Sequence, residues 1–312
     1  MKGKKKDDFE KALANREKYV LKKKNACNFW KIFSKHHISW MKELVSKYKE
    51  AGDFPLMPMT ILPSYYTDIA DREIAVFASL LIKDDGNFDR INAFRKTLTD
   101  HPFEWFKERG FVRLSLGSTQ NKRTGGVENW KIAKLFDRLW EMCHVTTQTA
   151  PNGMTVSFVR SIGFQVELMV KAQHCSFFDM LAYILEDCFV GEYFYRIRLL
   201  QVILGRSDGF SLNLWKIPLQ DIKCPVTSEI KGFLKLWIPD YSTIGTFDEA
   251  VDMFNLDNPG DFFYAYLAWW KLNKLNPRAC ERYLSIYKGW YIRKDSHFPY
   301  EWKRIQPEIT FV

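Results

Sequence analysis

The chain lacks any apolar run long enough to cross a bilayer. Its longest apolar stretches, residues 74–82 and 262–270, hold nine residues each, whereas a membrane-spanning helix needs about 20. The N-terminus begins with charged residues rather than with the apolar segment of a secretory signal. These absences predict a protein without a membrane partner, which we expect in the cytoplasm.

Cysteine is scarce, and its spacing excludes the common cysteine frameworks. The six cysteines are scattered along 312 residues without any paired spacing. A disulfide framework or a zinc ribbon would cluster them, and an iron–sulfur cluster needs several closely spaced cysteines. We therefore expect reduced, mostly buried thiols, with no metal site and no cofactor.

The sequence lacks the usual motifs of four large enzyme classes. The sequence contains no HExxH, no GxxxxGK, no GxGxxG and no GxSxG, the patterns typical of zinc proteases, P-loop NTPases, dinucleotide-binding enzymes and serine hydrolases. His36 and His37 are adjacent, so on a helix their rings point in different directions. Any catalytic site in this protein must therefore use a less common arrangement of residues.

Positive charge is unevenly distributed. Residues 1–49 hold fifteen Lys and Arg against five Asp and Glu, so their net charge of +10 exceeds the +9 of the whole chain. We interpret residues 1–24 as a basic, flexible arm that suits a polyanion, either a nucleic acid or an anionic membrane surface. The alternative is a tail that only improves solubility.

The apolar pattern predicts an all-α protein with ten to thirteen helices. Apolar residues recur at helical spacing over 177–204, interrupted near Gly191, and over 130–143. Thr246 and Glu249 form a capping box. The stretch 155–159 is a candidate strand but is too short to predict a sheet.

The body of the protein is expected to span residues 25–312. We divide it into two lobes, 25–145 together with the C-terminal tail, and 146–275. Asp68 or Asp71 is expected to cap a helix that runs through Ile82.

Three stretches of sequence, taken in order, suggest a relationship. They are residues 70–77 (ADREIAVF), 188–194 (CFVGEYF) and 217–226 (IPLQDIKCPV). Their order resembles that of the helix-hairpin-helix DNA glycosylase superfamily and its outlying helical relatives. Those relatives include the phage α-glutamyl/putrescinyl-thymine pyrophosphorylases, or amino acid:DNA transferases. The resemblance covers roughly residues 65–275 and implies a two-lobed helical bundle, in the host cytoplasm if the chain is phage-encoded.

The resemblance also implies site residues. Asp221 matches the family carboxylate that stabilises a cationic sugar or activates a nucleophile, although it could instead be a helix N-cap. Gly191 matches a hairpin glycine that turns backbone N–H groups toward a phosphate. Arginine cannot replace the Schiff-base lysine of the bifunctional enzymes, so lyase chemistry is not expected. The DNA- or phosphate-binding candidates are Gly191, Arg196, Arg198, Gln201, Arg206 and Lys223.

Two further groups are candidates for a pocket. Asp71, Arg72 and Glu73 could line one, or could form an ion pair at a helix start. Glu192 and Tyr193 are further candidates. Aromatic residues could stack an extruded base, although most are expected in the core: Tyr193, Phe194, Tyr195, Trp215, Tyr264, Tyr266, Trp269 and Trp270.

Three functions remain open. The first is a DNA base-modifying enzyme of thymidine hypermodification, which flips a 5-substituted pyrimidine out of double-stranded DNA. It transfers an amino acid or polyamine to the activated 5-methyl position with loss of pyrophosphate. The second is a monofunctional DNA glycosylase in which Asp221 activates water. The third is a non-enzymatic helical module that binds DNA or another protein.

Overall fold

The computed structural model describes residues 40–51, 58–80, 82, 88–112, 129–150, 153–186, 193–205, 212–239, 241–254, 256–258, 260–293 and 307–311. Residues 40–50 are helical. The basic arm 1–24 and the candidates Gly191, Glu192 and Arg206 lie outside the described residues.

Helices hold 72% of the described residues, which confirms the all-α prediction. In chain order they are α1 Pro58–Ser64, α2 Ile69–Ser79, α3 Phe88–Leu98, α4 Pro102–Lys107, α5 Asn129–Cys143, α6 Ile162–Gln173, α7 Phe177–Leu185, α8 Tyr193–Gly205, α9 Ser228–Trp237, α10 Tyr241–Ile244, α11 Phe247–Asp252, α12 Asp261–Leu275 and α13 Pro277–Arg293. A short 3₁₀ turn covers Leu219–Asp221. None of these described helices is both long and apolar enough to cross a membrane.

One hairpin departs from the helical pattern. Strands β1 (His144–Ala150) and β2 (Gly153–Phe158) pair antiparallel, with His144 opposite Phe158. The sequence analysis predicted no sheet here. The β-branched residues of both strands favour extended backbone, and two strands joined by a tight connection need no third partner to pair.

The chain divides into two compact units, Phe54–Pro225 and Met1–Asp53 with Val226–Val312. In the first, α2 is the central helix, since all residues from Ala70 to Ser79 except Arg72 are buried. An aromatic cluster packs beside it, with ring centroids 5.7–6.0 Å apart for Phe106, Phe111 and Phe136. The lobe boundaries drawn from the sequence differ from these units and stay a prediction.

The second unit combines residues 40–50 with the C-terminal helices. Trp40 stacks on Tyr283, with ring centroids 4.8 Å apart, and Trp40 also meets Trp237 at 6.1 Å. Lys42 forms a salt bridge of 2.6 Å to Asp257. Burial of these large aromatic rings is the main favourable contribution that joins residues 40–50 to the C-terminal helices.

Candidate functional site

Three carboxylates at the start of α2 each organise the N-terminus of a helix. Asp68 is the N-cap of α2 itself and accepts hydrogen bonds from the backbone N–H groups of Ala70 and Asp71. Asp71 accepts one from the N–H of Phe103, 2.8 Å away, in the first turn of α4. Glu73 reaches the N-terminus of α6. Since a helix N-terminus carries unpaired N–H groups and partial positive charge, each carboxylate is well placed to stabilise one.

The Glu73 carboxylate is fully buried and accepts four hydrogen bonds. Its Oε2 accepts from the N–H of Ile162 at 2.8 Å. Its Oε1 accepts from the N–H of Gly163 at 2.9 Å, from the Trp215 indole N–H at 2.8 Å and from the Ser161 hydroxyl at 3.2 Å. Glu73 thereby joins α2, α6 and the segment that contains Trp215.

Burial raises the pKa of Glu73 to about 7, and the four hydrogen bonds oppose that rise. Removal from water disfavours the charged carboxylate, whereas N–H and O–H donors favour it. The nearby Cys143 thiol has its pKa raised to about 12, first by its own burial and then by the charge of Glu73. Cys143 is therefore a thiol rather than a thiolate at neutral pH, which excludes it as a nucleophile.

Asp71 and Glu73 reach different helices, and the ion pair predicted at the start of α2 stays a prediction. Residues two positions apart on a helix lie on nearly opposite faces, so Asp71 faces α4 while Glu73 faces α6. The His101 ring approaches Asp71 from outside α2, with 4.0 Å between Nδ1 and Oδ2. Both carboxylates serve as caps for helices that are distant in sequence.

A cavity of about 410 Å³ opens beside the N-terminus of α6. This volume is within the range of small-ligand sites. Of the pocket candidates predicted from the sequence, Asp71, Arg72 and Glu73 do not line this cavity. The lining residues are Asp68, Ile69, Ala70, Arg160, Ser161, Gly163, Phe164, Glu167, Leu214, Trp215 and Lys216.

The charged residues of the cavity balance one another. Arg160 Nη2 lies 3.0 Å from Asp68 Oδ2. The hydrogen bond from Lys171 and, less strongly, the charge of Lys216 lower the pKa of Glu167. Glu167 is therefore ionised at neutral pH, and the cavity presents two positive and two negative side chains.

The exposed part of the cavity lining combines charged side chains with two apolar ones. Ile69 and Phe164 line the cavity and remain 56% and 55% exposed. Trp215 forms part of the wall and is only 3% exposed. Of the aromatic residues that the sequence suggested for stacking, Trp215 lines this cavity, whereas Tyr264 and Trp269 are buried in the core of the other unit.

A second group of predicted residues comes together at α8. The Gln201 amide Nε2 donates to the backbone carbonyl of Asp221 at 3.0 Å, and Arg198 Nη1 donates to the carbonyl of Cys224 at 3.1 Å. The two side chains thus hold the backbone at the end of the 3₁₀ turn and in the segment that follows it. Asp221 is partly exposed and does not line the cavity.

Asp221 is not the N-cap of the following helix. Helix α9 begins at Ser228, and the Thr227 side chain caps it by accepting from the N–H of Ile230. The sequence offered catalysis and capping as the two roles for Asp221, and the capping role is wrong. The catalytic role stays a prediction.

The other predicted residues are spread over α2, α8 and the 3₁₀ segment. Arg196 lies over the Tyr195 ring at 5.8 Å from its centroid. Lys223 and Arg72 are partly exposed, and Tyr193 is the first residue of α8. Their binding roles stay predictions.

The sequence suggested Glu73 only as one of three neighbouring residues that could line a pocket or form an ion pair, and it did not indicate that Glu73 joins three elements. The partners of Glu73 lie 88 to 142 residues further along the chain, so no local spacing indicates the contact.

No family model, no curated protein and no solved structure matches the chain. Within the described ranges, no group of three or more His, Cys, Asp or Glu side chains is placed to hold a metal ion. The functional argument therefore depends on the cavity and on the residues that surround it.

Proposed function

We propose that the protein is a DNA base-modifying enzyme, and that the cavity beside α6 receives a pyrimidine extruded from the duplex. The observation that carries the proposal is a cavity of about 410 Å³ with Phe164 at its mouth and Trp215 in its wall. Enzymes that act on a base take it out of the stack into a pocket with aromatic or apolar walls and a few polar groups.

The wall of the cavity is rigid in the way such a pocket requires. Glu73 fixes the Trp215 indole and the first turn of α6 by hydrogen bonds of 2.8–3.2 Å. Side chains held by packing and by outer hydrogen bonds keep a site in its productive geometry. Glu73 touches no bound base in this proposal and acts as a positioning residue.

The DNA part of the proposal rests on charge. The net charge of +10 on residues 1–49 gives the chain a polyanion-binding segment, whereas the cavity itself is electrically balanced. The segment supplies affinity for the phosphate backbone, and the cavity supplies contacts to the base.

The proposed reaction transfers an amine to an activated 5-methyl group. The amine nitrogen attacks the exocyclic carbon, the bond from that carbon to the pyrophosphate oxygen breaks, and the nitrogen's surplus proton passes to a carboxylate. Asp221 remains the predicted proton acceptor; because Asp221 does not line the cavity, the proposed proton transfer runs through an intervening water molecule. Glu167, which is ionised beside the cavity, holds the cationic amine before it is deprotonated.

Nucleoside mass spectrometry tests the proposal. The protein is incubated with duplex DNA that contains 5-pyrophosphoryloxymethyl-uracil and with a mixture of amino acids and polyamines. A new amine-bearing nucleoside is expected. Free base with abasic sites would instead identify a glycosylase, and salt-sensitive DNA binding with no product would identify a binding module.

Two carboxylate variants separate the assigned roles. Asp221→Asn is expected to lower kcat at least about 100-fold, because general base catalysis contributes 10²–10⁴-fold. Glu167→Gln should mainly raise KM for the amine. Glu141→Gln, an exposed residue of α5 outside the cavity, is the matched control. An unchanged kcat in Asp221→Asn would show that Asp221 is not the base.

A further inference from the structure

The first backbone N–H groups of α6 are already used. The N–H groups of Ile162 and Gly163 donate to Glu73 at 2.8 and 2.9 Å, and that of Phe164 donates to the Ser161 hydroxyl at 3.2 Å. The N–H of Gln165 makes the first intrahelical bond, to the Ser161 carbonyl at 3.2 Å. The three N–H groups at the start of α6 that the helix itself leaves unpaired are therefore satisfied by side chains of the protein.

Helix N-termini beside cavities often bind phosphate, because free N–H groups and the helix dipole attract an anion. Here Glu73 occupies that position with its own carboxylate. An ionised Glu73 also repels a second anion across the short distance to the cavity wall. The N-terminus of α6 therefore disfavours phosphate binding, whereas free helix N-termini in other folds favour it.

The charged side chains that line the cavity do not create an anion-binding site. Arg160 is paired with Asp68 at 3.0 Å, and Lys216 faces Glu167, whose pKa its charge helps to lower after the larger effect of Lys171. The lining includes two cationic and two anionic side chains, and Glu73 adds a negative charge behind the wall when it is ionised. The electrostatic environment is neutral to negative.

We infer that the cavity accepts an uncharged planar ring and excludes phosphate-bearing groups, and that Glu73 sets this selectivity. The inference rests on the proposed function and specifies which part of the substrate enters the cavity. The base enters the cavity, whereas the backbone phosphates and any pyrophosphate on the 5-methyl group stay outside the mouth.

Gly163 shows how closely this arrangement is packed. A Cβ at position 163 would clash with the Trp215 indole and would lie 2.8 Å from Glu73 Oε1. Glycine is required because the first turn of α6 approaches Glu73 and Trp215 without space for a side chain. The Trp215 indole N–H donates to Glu73, and Trp215 lines the cavity. Its NMR signal therefore responds to changes at both the cavity and the carboxylate.

Two probes test the inference on the full chain: thymidine, an uncharged nucleoside, and sulfate, an anion of fixed charge at neutral pH. Binding is read from the NMR signal of the Trp215 indole N–H, assigned by its loss in Trp215→Phe. Thymidine is expected to shift this signal in the wild type, whereas sulfate does not. At about pH 8.5, where Glu73 with a pKa of about 7 is ionised, Glu73→Gln should raise the affinity for sulfate by about tenfold or more, because a negative charge at the helix N-terminus is removed. Glu141→Gln should behave like the wild type.

Sulfate binding to the wild-type cavity as tightly as thymidine would overturn the inference, and so would the absence of any thymidine effect. This wild-type comparison holds even if Glu73→Gln does not fold. Thymidine selectivity without any product in the nucleoside assay would instead reject the proposed reaction and leave the selectivity standing.

Discussion

Glu73 shows how one residue can serve the fold and the site together. Its carboxylate is buried at a cost in hydration, and the cost is offset by four donors from Ser161, Ile162, Gly163 and Trp215. Removing one partner of such a group leaves buried donors unpaired, which costs about 1–3 kcal/mol for each group. Stability and cavity shape are therefore coupled at this residue.

We predict that Glu73 makes the protein less stable as pH rises from about 4.5 to about 7. Its pKa is raised to about 7 from an ordinary value of 4.5, so the folded state holds a proton that the unfolded state has already lost between these values. Relative to Glu73→Gln, the wild type should lose about 3 kcal/mol of unfolding free energy between pH 4.5 and 7.

Urea unfolding at a series of pH values measures this effect. Glu141→Gln, which removes an exposed carboxylate, should keep the wild-type pH profile. Equal pH slopes for the wild type and Glu73→Gln would show that the Glu73 pKa is not raised.

At the level of elements, the first turn of α6 admits no side chain at Gly163. We predict that Gly163→Ala lowers the unfolding free energy by about 1–3 kcal/mol, because overpacking forces Trp215 and Glu73 apart.

Gly232 lies in the middle of α9, and a methyl group there would meet no atom within 4 Å. Gly232→Ala should therefore raise the stability by about 0.5–1 kcal/mol.

Thermal unfolding followed by circular dichroism compares these two glycine variants. A Gly163→Ala protein as stable as the wild type would mean that the wall of the cavity is loosely packed. A destabilised Gly232→Ala protein would show that the helix propensity argument fails at that position.

Local elements were predictable where the signal is local. The capping box of Thr246 and Glu249 marks the start of α11, Asp68 caps α2, and the apolar spacing over 130–143 corresponds to α5. The hairpin was missed although β2 alternates apolar and polar residues from Met154 to Phe158. Its partner β1 (HVTTQTA) shows no such alternation, and a single alternating run does not by itself predict a paired strand.

The site was less predictable than the helices. Gln201 does contact Asp221, and Arg198 contacts Cys224 three residues further on, but both contacts are made to backbone carbonyls that side-chain chemistry alone does not reveal. The cavity combines the starts of α2 and α6 with the segment around Trp215. Such a combination is set by tertiary packing, and neither spacing nor composition encodes it locally.

At the scale of the whole molecule, positive charge and the cavity belong to different parts of the chain. Residues 1–24 hold ten Lys and Arg against four Asp and Glu, whereas the cavity is neutral. Each cation that contacts a DNA phosphate releases counterions and steepens the salt dependence of binding. The arm should therefore govern affinity, and the cavity should govern base selection.

We predict that deletion of residues 1–24 weakens DNA binding without abolishing turnover. The slope of log K against log salt should become shallower by several units, since each lost phosphate contact contributes about 0.9. Fluorescence anisotropy at a series of salt concentrations measures the slope. Complete loss of turnover in a truncated protein that still folds would contradict this division of roles.

The central claim is that a base leaves the duplex and enters the cavity, and 2-aminopurine fluorescence tests it most directly. A duplex with 2-aminopurine beside the target pyrimidine should become brighter when the wild type binds. Ile69→Tyr narrows the cavity mouth at a residue that is 56% exposed and should reduce the increase at least about fivefold. Leu275→Tyr, a 50% exposed control in the other unit, should leave it unchanged. Saturated DNA binding without any rise in fluorescence, or an equal rise in Ile69→Tyr, would contradict the claim.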